Sequence, residues 1–331
     1  MNTPVISIIG AGGWGTALAV LFADRGMRVN LWGYSAEQVQ KLRETRMNDL
    51  YLPGVKLPEE IVPTNDLGDC AGGEVILFVT PSKGIRAVAE QFSRLKVTPG
   101  APLISCTKGI EPVSGLRMSE ILHEFFPTHP IGALSGPNHA EEVARQMPAA
   151  AALAFTDAAV AERLQPLLTT PYFRTYTTDD VAGVELGGAL KNIYAIAAGV
   201  SDGLGFGDNS KAALETRALV ELVRLGVTLG GRRETFYGLS GMGDLVVTCF
   251  SRHSRNRSLG ERLGRGETLG QITATMSGTA EGVPTTRSAY ECARRANVNT
   301  PIIDQVYAML FEGKSPRIVL VELMSRDRRP E

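Results

Sequence analysis

The chain has 331 residues, enough for two domains, and its 44% hydrophobic content supports a sizeable core. A formal net charge of −1 argues against a nucleic-acid partner, and no apolar stretch reaches the length of a membrane span. The four cysteines stand far apart without metal-ligand spacing, so we expect buried free thiols in a reducing cytosol and no metal site. The first predicted strand starts so early that we expect no signal peptide and a cytoplasmic protein.

The first motif is a glycine-rich turn that follows the apolar run Val5–Ile9 and precedes a helical pattern from Thr16. In a G-x-G-x-x-G turn, Gly10 allows the tight bend and Gly12 lets a pyrophosphate approach the backbone. Gly15 then lets the next helix pack closely on the strand. The free N–H groups at the start of that helix suit phosphate. The pattern predicts a dinucleotide site, and the alternative is a glycine-rich turn that binds nothing.

Strand and helix patterns alternate through the first half of the chain, which predicts a doubly wound parallel sheet. The further predicted strands are Arg28–Trp32, Val75–Val79, Leu103–Cys106, Ile131–Leu134, Ala149–Phe155 and Phe173–Thr177. The predicted helices are one capped by Ser35 that runs to Arg46, then Ile85–Leu95 and Gly115–Phe126. The segment Met47–Pro63 is predicted to be a loop.

Helical patterns dominate after Asp179, so we expect a Rossmann-type domain at 1–180 and a mainly α-helical domain at 181–331. The predicted helices there are Val181–Val200, Ser210–Leu229, Ser258–Arg265, Leu269–Met276, Thr285–Ala296, Pro301–Phe311 and Pro316–Arg326. A cleft between the two domains is the expected position of a ligand site.

Lys191 is the most distinctive candidate for chemistry, because it is the only charged residue between Glu185 and Asp202. A helix that is apolar all round is buried, and a lysine on it is costly unless it is paired or loses its proton. Such a lysine can pass a proton at neutral pH. The alternative is a lysine that extends to the surface from one polar edge.

Other polar groups follow predicted strands or glycine-rich turns. Lys108 follows the Leu103 strand and could reach an anionic substrate, although a solvated loop lysine is the simpler interpretation. Asp244 follows a turn with three glycines and is the natural partner of Lys191. The segment Ser251–Arg257 combines arginines with hydroxyl and amide groups, which fits either a phosphate site or a solvated basic loop. Glu281 alone could be an ordinary carboxylate at a helix start.

Together these segments resemble the bacterial NAD(P)-dependent glycerol-3-phosphate dehydrogenases, and the match runs nearly end to end. The residues that carry the resemblance are Gly10–Ala19, Thr107–Ile110, Ser135–Pro137, Leu190–Ile193, Gly243–Cys249, Ser254–Arg257, Ala280–Gly282 and Glu312–Pro316. Each motif is short, but their ordered set is specific.

The resemblance implies a role for each matching residue. Lys191 would be the general acid/base, with Lys108 and Asp244 as its active-site partners. The implied substrate contacts are Lys108, Gly136, Asn138, Asn192, Ser254, Arg255 and Asn256. The implied cofactor contacts are Gly10, Gly12, Gly13, Trp14, Gly15, Tyr34, Lys108, Ala140, Arg255, Thr279 and Glu281. Two positions depart from the family pattern: Asn138–His139 replaces a hydroxyl-then-aromatic pair, and Glu215 stands where an apolar residue is common.

The resemblance further implies interconversion of sn-glycerol 3-phosphate and dihydroxyacetone phosphate for phospholipid synthesis by a homodimer that uses NADP or NAD. No carboxylate stands at Trp32–Ser35, about twenty residues past the glycine motif, where NAD-selective sites place one. No arginine stands there either, so we expect both coenzymes to work, with a modest preference for NADPH. The alternatives are a β-hydroxyacid or 6-phosphogluconate-type dehydrogenase and a non-catalytic NAD(P)-sensing module.

Overall fold

The structure is a computed structural model that describes residues 4–276 and 278–325. By its internal contacts the chain divides into two compact units. The first unit contains the residues up to Lys108 together with Leu116–Glu185. The second contains Gly109–Gly115 and the residues from Leu186 onward.

The first unit is built on an eight-stranded sheet with the strand order β10-β9-β8-β7-β6-β1-β2-β5. Its strands are β1 (Ile6–Ile9), β2 (Val29–Trp32), β5 (Ile61–Thr64), β6 (Val75–Phe78), β7 (Leu103–Ser105), β8 (Ile131–Ser135), β9 (Ala149–Phe155) and β10 (Phe173–Thr178). All neighbours pair in parallel except β8 and β9, which are antiparallel. The predicted Rossmann-type sheet is confirmed, and it is mixed rather than wholly parallel.

Helices of the first unit connect these strands and bury apolar residues against them. They are α1 (Gly13–Ala23), α2 (Ala36–Thr45), α3 (Ile85–Ser93), α4 (Met118–Phe125), α5 (Ala140–Val143) and α6 (Ala158–Leu168). β1 has no exposed surface at Ile6, Ile8 and Ile9, as expected for a central strand covered on both faces. The four cysteines are buried free thiols, as predicted.

The segment Met47–Pro63 contains three strands, so the prediction of a loop was wrong. Two of them, β3 (Met47–Asn48) and β4 (Leu52–Lys56), form an antiparallel pair, and β5 is an edge strand of the large sheet. Pro63 lies within β5, and proline is tolerated at a sheet edge although it normally argues against a strand. The predicted helix start at Gly115 was also wrong: Gly115 has a φ of +74°, and α4 begins at Met118.

The second unit consists of helices. They are α7 (Val181–Gly203), which begins in the first unit, α8 (Asp208–Thr228), α9 (Arg233–Phe236), α10 (Asp244–Phe250), α11 (Arg255–Gly264), α12 (Leu269–Thr275), α13 (Gly282–Arg295), α14 (Pro301–Phe311) and α15 (Pro316–Met324). The predicted end of the last helix at Arg326 lies outside the described residues. No helix in the described part of the chain is both long and apolar enough to span a bilayer.

Glycines bring α7 and α11 into backbone contact. A Cβ atom at Gly264 of α11 would lie 2.6 Å from the Val200 carbonyl oxygen of α7, and one at Gly199 or Gly260 would meet backbone of the opposite helix. Asp202, near the end of α7, forms ion pairs of 2.9 Å with Lys211 of α8 and with Arg257 of α11. The helix that carries Lys191 is therefore held directly against the helix that begins at Arg255.

Candidate active site

Lys191 lies inside the helical unit and is paired with a carboxylate. Its Nζ donates hydrogen bonds to Asp244 Oδ1 at 2.8 Å and to Thr248 Oγ1 at 2.5 Å. Lys191 is only 6% exposed, Asp244 1% and Thr248 3%. Removing one partner of such a buried pair leaves an uncompensated charge, which costs about 3–5 kcal/mol. The three side chains therefore hold a proton donor at one fixed position.

A glycine-rich turn brings Asp244 to Lys191. Residues Leu239–Gly243 form a π-helical turn that leads directly into α10. A Cβ atom at Gly187 of α7 would lie 2.6 Å from the Ser240 carbonyl oxygen, so this turn rests directly on the α7 backbone. The absence of a side chain at Gly187 therefore serves the packing of this turn against α7.

Thr248 was not singled out from the sequence. It stands four residues after Asp244, so both side chains lie on the same face of α10. Its hydroxyl is 3.3 Å from Asp244 Oδ1 and forms part of the environment of the Lys191 ammonium group. The spacing of an acid and a hydroxyl residue on one helix was the available signal.

A chain of amide groups connects α7, α11 and α13. Asn256 Nδ2 donates to Asn192 Oδ1 at 2.9 Å, and the Gly282 N–H donates to Asn256 Oδ1 at 2.8 Å. Asn192 directly follows Lys191, so the same helix positions both side chains. Asn192 and Asn256 are 4% and 8% exposed, and each amide is fixed by its partner.

Ser254 and Arg255 form the start of α11. The Ser254 hydroxyl accepts the N–H of Arg257, and the remaining N–H groups of the first turn, with the helix dipole, favour an anion. A Cβ atom at Gly278 would collide with the Arg255 guanidinium, so Arg255 lies against this glycine, next to Thr279. Thr279 and Glu281 are half-buried on the segment that leads into α13. The second unit thus brings together Ser254 and Arg255 with the segment from Gly278 to Glu281.

In the first unit, the glycine motif forms the turn between β1 and α1. Gly10 has a φ of +132°, and a Cβ atom there would lie 2.5 Å from the Val79 carbonyl oxygen. A Cβ atom at Gly15 would collide with the Gly10 carbonyl oxygen, whereas the space beside Gly12 is open to 4 Å. No side chain caps the start of α1, so its first N–H groups suit a pyrophosphate. These features fit a dinucleotide.

Other predicted residues of the first unit lie around β8 and β9. Lys108 Nζ donates to the Gly136 carbonyl oxygen at 2.9 Å. Asn138 Nδ2 donates to the Ala150 carbonyl oxygen at 2.9 Å, while its Oδ1 is buried without a hydrogen-bond partner among the described residues. Ala140 begins α5, and its Cβ lies 3.7 Å from the Cβ position of Gly13.

The two predicted aromatic contacts differ in exposure. The Trp14 ring packs 6.3 Å from that of Phe173, whereas Tyr34 is 88% exposed after β2. The Tyr34 ring is 6.3 Å from that of Trp32, edge-on. Tyr34 is therefore accessible to a flat ligand beside the end of β2.

Glu215, the family departure on α8, is partly buried near the Asp202–Lys211 ion pair. Burial raises its pKa to about 7, Lys211 opposes this rise and Asp202 adds to it. Its Oε1 has no hydrogen-bond partner within the described part of the chain. Burial also raises the pKa of the neighbouring Cys249 thiol, so this thiol stays protonated at neutral pH.

Comparisons with known proteins agree over nearly the whole chain. Residues 5–161 and 180–321 match the models for the N-terminus and the C-terminus of NAD-dependent glycerol-3-phosphate dehydrogenase. Proteins named glycerol-3-phosphate dehydrogenase (NAD(P)+) from Citrifermentans bemidjiense and Geobacter sulfurreducens are 49% and 47% identical, each over 98% of both chains. A crystal structure of glycerol-3-phosphate dehydrogenase from Coxiella burnetii matches with a TM-score of 0.94 and 36% identity, over 98% of this chain and 99% of that one.

Proposed function

Because the chain belongs to the family of NAD-dependent glycerol-3-phosphate dehydrogenases, we propose that Lys191, Asp244 and Arg255 carry out the family's reaction in it. The protein is an NAD(P)-dependent oxidoreductase that acts on glycerol 3-phosphate. Oxidation of the secondary alcohol of this substrate gives dihydroxyacetone phosphate. The observation that carries the assignment of roles is the buried Lys191–Asp244 pair, with Nζ and Oδ1 2.8 Å apart.

Lys191 acts as the general acid/base. During reduction its ammonium group gives a proton to the ketone oxygen, and during oxidation the amine takes the proton from the hydroxyl group. Asp244 and Thr248 fix the position of Nζ and stabilise its charged form. A nicotinamide coenzyme held at the turn from Gly10 to Gly15 would supply or accept the hydride at the central carbon of the substrate.

The start of α11 holds the substrate phosphate. Arg255 provides N–H donors that can bind two phosphate oxygens at once, and the Ser254 hydroxyl and the first backbone N–H groups lie beside it. Asn256 and Asn192, joined by their amides, orient the rest of the substrate. Binding energy from the phosphate thereby orients a carbonyl to which it is not directly attached. Lys108, Gly136 and Asn138 are proposed as further substrate contacts.

The turn from Gly10 to Gly15 binds the pyrophosphate of the coenzyme at the start of α1. Trp14, Tyr34, Lys108, Ala140, Arg255, Thr279 and Glu281 are proposed as its further contacts. The Ser35 hydroxyl caps α2 by accepting the Gln38 N–H, and Glu37 Oε1 lies 3.4 Å from Lys41 Nζ. Since no acid stands at the end of β2, NADPH and NADH are both accepted.

Oxidation of NADPH by dihydroxyacetone phosphate, followed by absorbance, tests the function and separates it from the two alternatives. We expect Lys191→Met to lose at least the ~10²- to 10⁴-fold in kcat that general acid–base catalysis supplies, while coenzyme affinity stays close to wild type. Lys191→Arg keeps the positive charge beside Asp244 but cannot release its proton at neutral pH, so it should be similarly slow. A variant that keeps more than a tenth of the wild-type rate at every pH would contradict this role.

We further propose that the protein is a cytoplasmic homodimer that supplies glycerol 3-phosphate for phospholipid synthesis, as the family resemblance implies. Light scattering of the purified protein measures its mass against the 35.5 kDa of one chain. Fractionation of cells tests its location, and glycerol auxotrophy after deletion of its gene tests the supply of glycerol 3-phosphate.

A further inference from the structure

One cavity of the helical unit lies outside the proposed active site. It measures about 610 Å³ and is lined by residues of α7, α8, α14 and α15 and of the segments that flank them. This volume lies within the range of about 300–1,000 Å³ typical of small-molecule pockets. Neither Lys191, Asp244 nor the start of α11 contributes to its lining.

The interior of this cavity is apolar and adaptable. Its wall includes Val200, Val306 and Val319, which are at most 5% exposed, and the buried, flexible side chain of Met309, while the exposed Met324 lies at its edge. Phe206 is its only aromatic side chain among the described residues, so it offers little surface for stacking a flat ring. An aliphatic wall that includes a flexible methionine adapts to a flexible alkyl chain better than to a rigid ligand.

The α8 side of the cavity carries positive charge. Arg217 and Arg224 are both exposed residues that line it, and seven residues of helix separate them by ~10 Å. Arg224 donates one hydrogen bond of 2.7 Å to the Asn299 carbonyl oxygen, which uses one of its five N–H donors. Exposed guanidinium groups beside an apolar interior match an amphiphile whose polar end is anionic.

The acid in the lining does not cancel this preference. Glu221 is 2% exposed, and its two oxygens accept the N–H groups of Ile302 and Ile303 at 3.0 and 2.9 Å. Its carboxylate therefore satisfies the start of α14, whereas both arginines lie near solvent.

We propose that this cavity binds a single-chain alkyl carboxylate, with the chain between α8, α14 and α15 and the carboxylate at Arg224 and Arg217. The site goes beyond the proposed dehydrogenase function and does not depend on it. A ligand that binds only the native protein raises the melting temperature with the logarithm of its concentration, which gives a direct measurement.

The test compares three probes that share a ten-carbon alkyl chain: decanoate and decyltrimethylammonium below their micelle concentrations, and decanol below its solubility limit. We expect decanoate to raise the melting temperature with the logarithm of its concentration and to bind with one-site stoichiometry in calorimetry. Decanol and decyltrimethylammonium should bind at least tenfold more weakly. The proposal is wrong if decanol or decyltrimethylammonium binds as tightly as decanoate. It is also wrong if decanoate only lowers the melting temperature.

Three variants locate the site. Arg224→Ala should weaken decanoate binding about tenfold, as expected for one lost charge-assisted hydrogen bond. Ala213→Trp should abolish binding, because Ala213 is an exposed residue of the lining and a large side chain there fills the cavity. Arg233→Ala is the matched control, an exposed arginine outside the lining that should bind decanoate like wild type.

All three variants should reduce dihydroxyacetone phosphate at the wild-type rate without decanoate, so the outcome is independent of the proposed active site. Unchanged decanoate affinity in Ala213→Trp overturns the proposal. The proposal is also wrong if light scattering shows a dimer that Ala213→Trp dissociates and that decanoate leaves intact. In that case the cavity is an interface between two copies of the chain.

Discussion

Gly187→Ala should damage catalysis without removing a catalytic group. Gly187 lies on α7, one turn before Lys191, and a Cβ atom there would lie 2.6 Å from the Ser240 carbonyl oxygen and 2.9 Å from its carbonyl carbon. Ordinary carbon contacts begin near 3.4 Å, so α7 and the turn at Leu239–Gly243 must separate by about 0.8 Å. Both contacting atoms are backbone, so no side-chain rotation can relieve the overlap.

The separation acts directly on the ion pair, because the displaced turn leads into Asp244. A shift of this size stretches the Lys191–Asp244 distance from 2.8 Å to about 3.6 Å, beyond hydrogen-bond length. Displacements near 1 Å can cost on the order of 10²-fold in rate, and overpacking costs about 1–3 kcal/mol in stability. We therefore expect kcat to fall 10- to 100-fold, with KM for dihydroxyacetone phosphate changed far less because the start of α11 is not displaced.

Steady-state kinetics with NADPH and thermal melts measure both effects. Gly270→Ala is the control, since Gly270 lies on α12 with open space around its Cβ position. Alanine in a helix is about 0.5–1 kcal/mol more favourable than glycine, so this variant should be slightly stabilised and fully active. A Gly187→Ala enzyme with kcat within threefold of wild type and an unchanged melting temperature would refute the reasoning from packing.

Three further outcomes test the charges and the coenzyme site. Arg255→Ala should raise KM for dihydroxyacetone phosphate at least tenfold, through loss of a charge-assisted contact of ~1.5–3 kcal/mol, and should affect unphosphorylated dihydroxyacetone much less; equal losses would indicate a role for Arg255 in the fold or coenzyme site. Burial raises the pKa of Glu215 from 4.5 to about 7, so between pH 4.5 and pH 7 the native state binds more protons than the unfolded state. The free energy of unfolding therefore falls as pH rises through this window. Glu215→Gln should accordingly stabilise the protein on the order of 1 kcal/mol more at pH 8 than at pH 5, and a pH-independent difference in denaturant melts would contradict this. NADPH should have a modestly higher kcat/KM than NADH, whereas a tenfold advantage for NADH would mean that Glu37 or another acid reaches the ribose.

Local sequence patterns were sufficient to predict elements whose backbone conformation depends on neighbouring residues. The apolar run before Gly10 predicted the buried strand β1. The glycine motif predicted a tight turn between this strand and the helix after it, and in the structure a Cβ atom at Gly10 or Gly15 would overlap backbone atoms. The isolated charge of Lys191 on an apolar helix likewise predicted either burial or a polar edge, and the side chain is buried. In each case the signal lay within about ten residues of the feature.

Features that depend on distant neighbours were missed. Proline in β5 is acceptable only because β5 lies at the sheet edge, and the strand order is not visible in the local pattern. The antiparallel pairing of β9 with β8 has the same origin. A local feature was also missed: α11 begins at Arg255 rather than Ser258, because the Ser254 hydroxyl caps it, although its first turn has the composition of a polar loop.

The position of Lys191 depends both on the local sequence pattern and on contacts with residues that are distant in the sequence. Burying Lys191 requires a carboxylate, and the predicted partner, Asp244, does bind it, although Asp244 is 53 positions away and Asp202 is nearer in the sequence. The structure makes the choice through glycines: the absence of a side chain at Gly187 lets the turn before α10 reach the α7 backbone, while Asp202 is engaged by Lys211 and Arg257. Helix packing without side chains thus determines which acid meets the lysine, and for this reason a methyl group at Gly187 should slow a reaction in which Gly187 takes no chemical part.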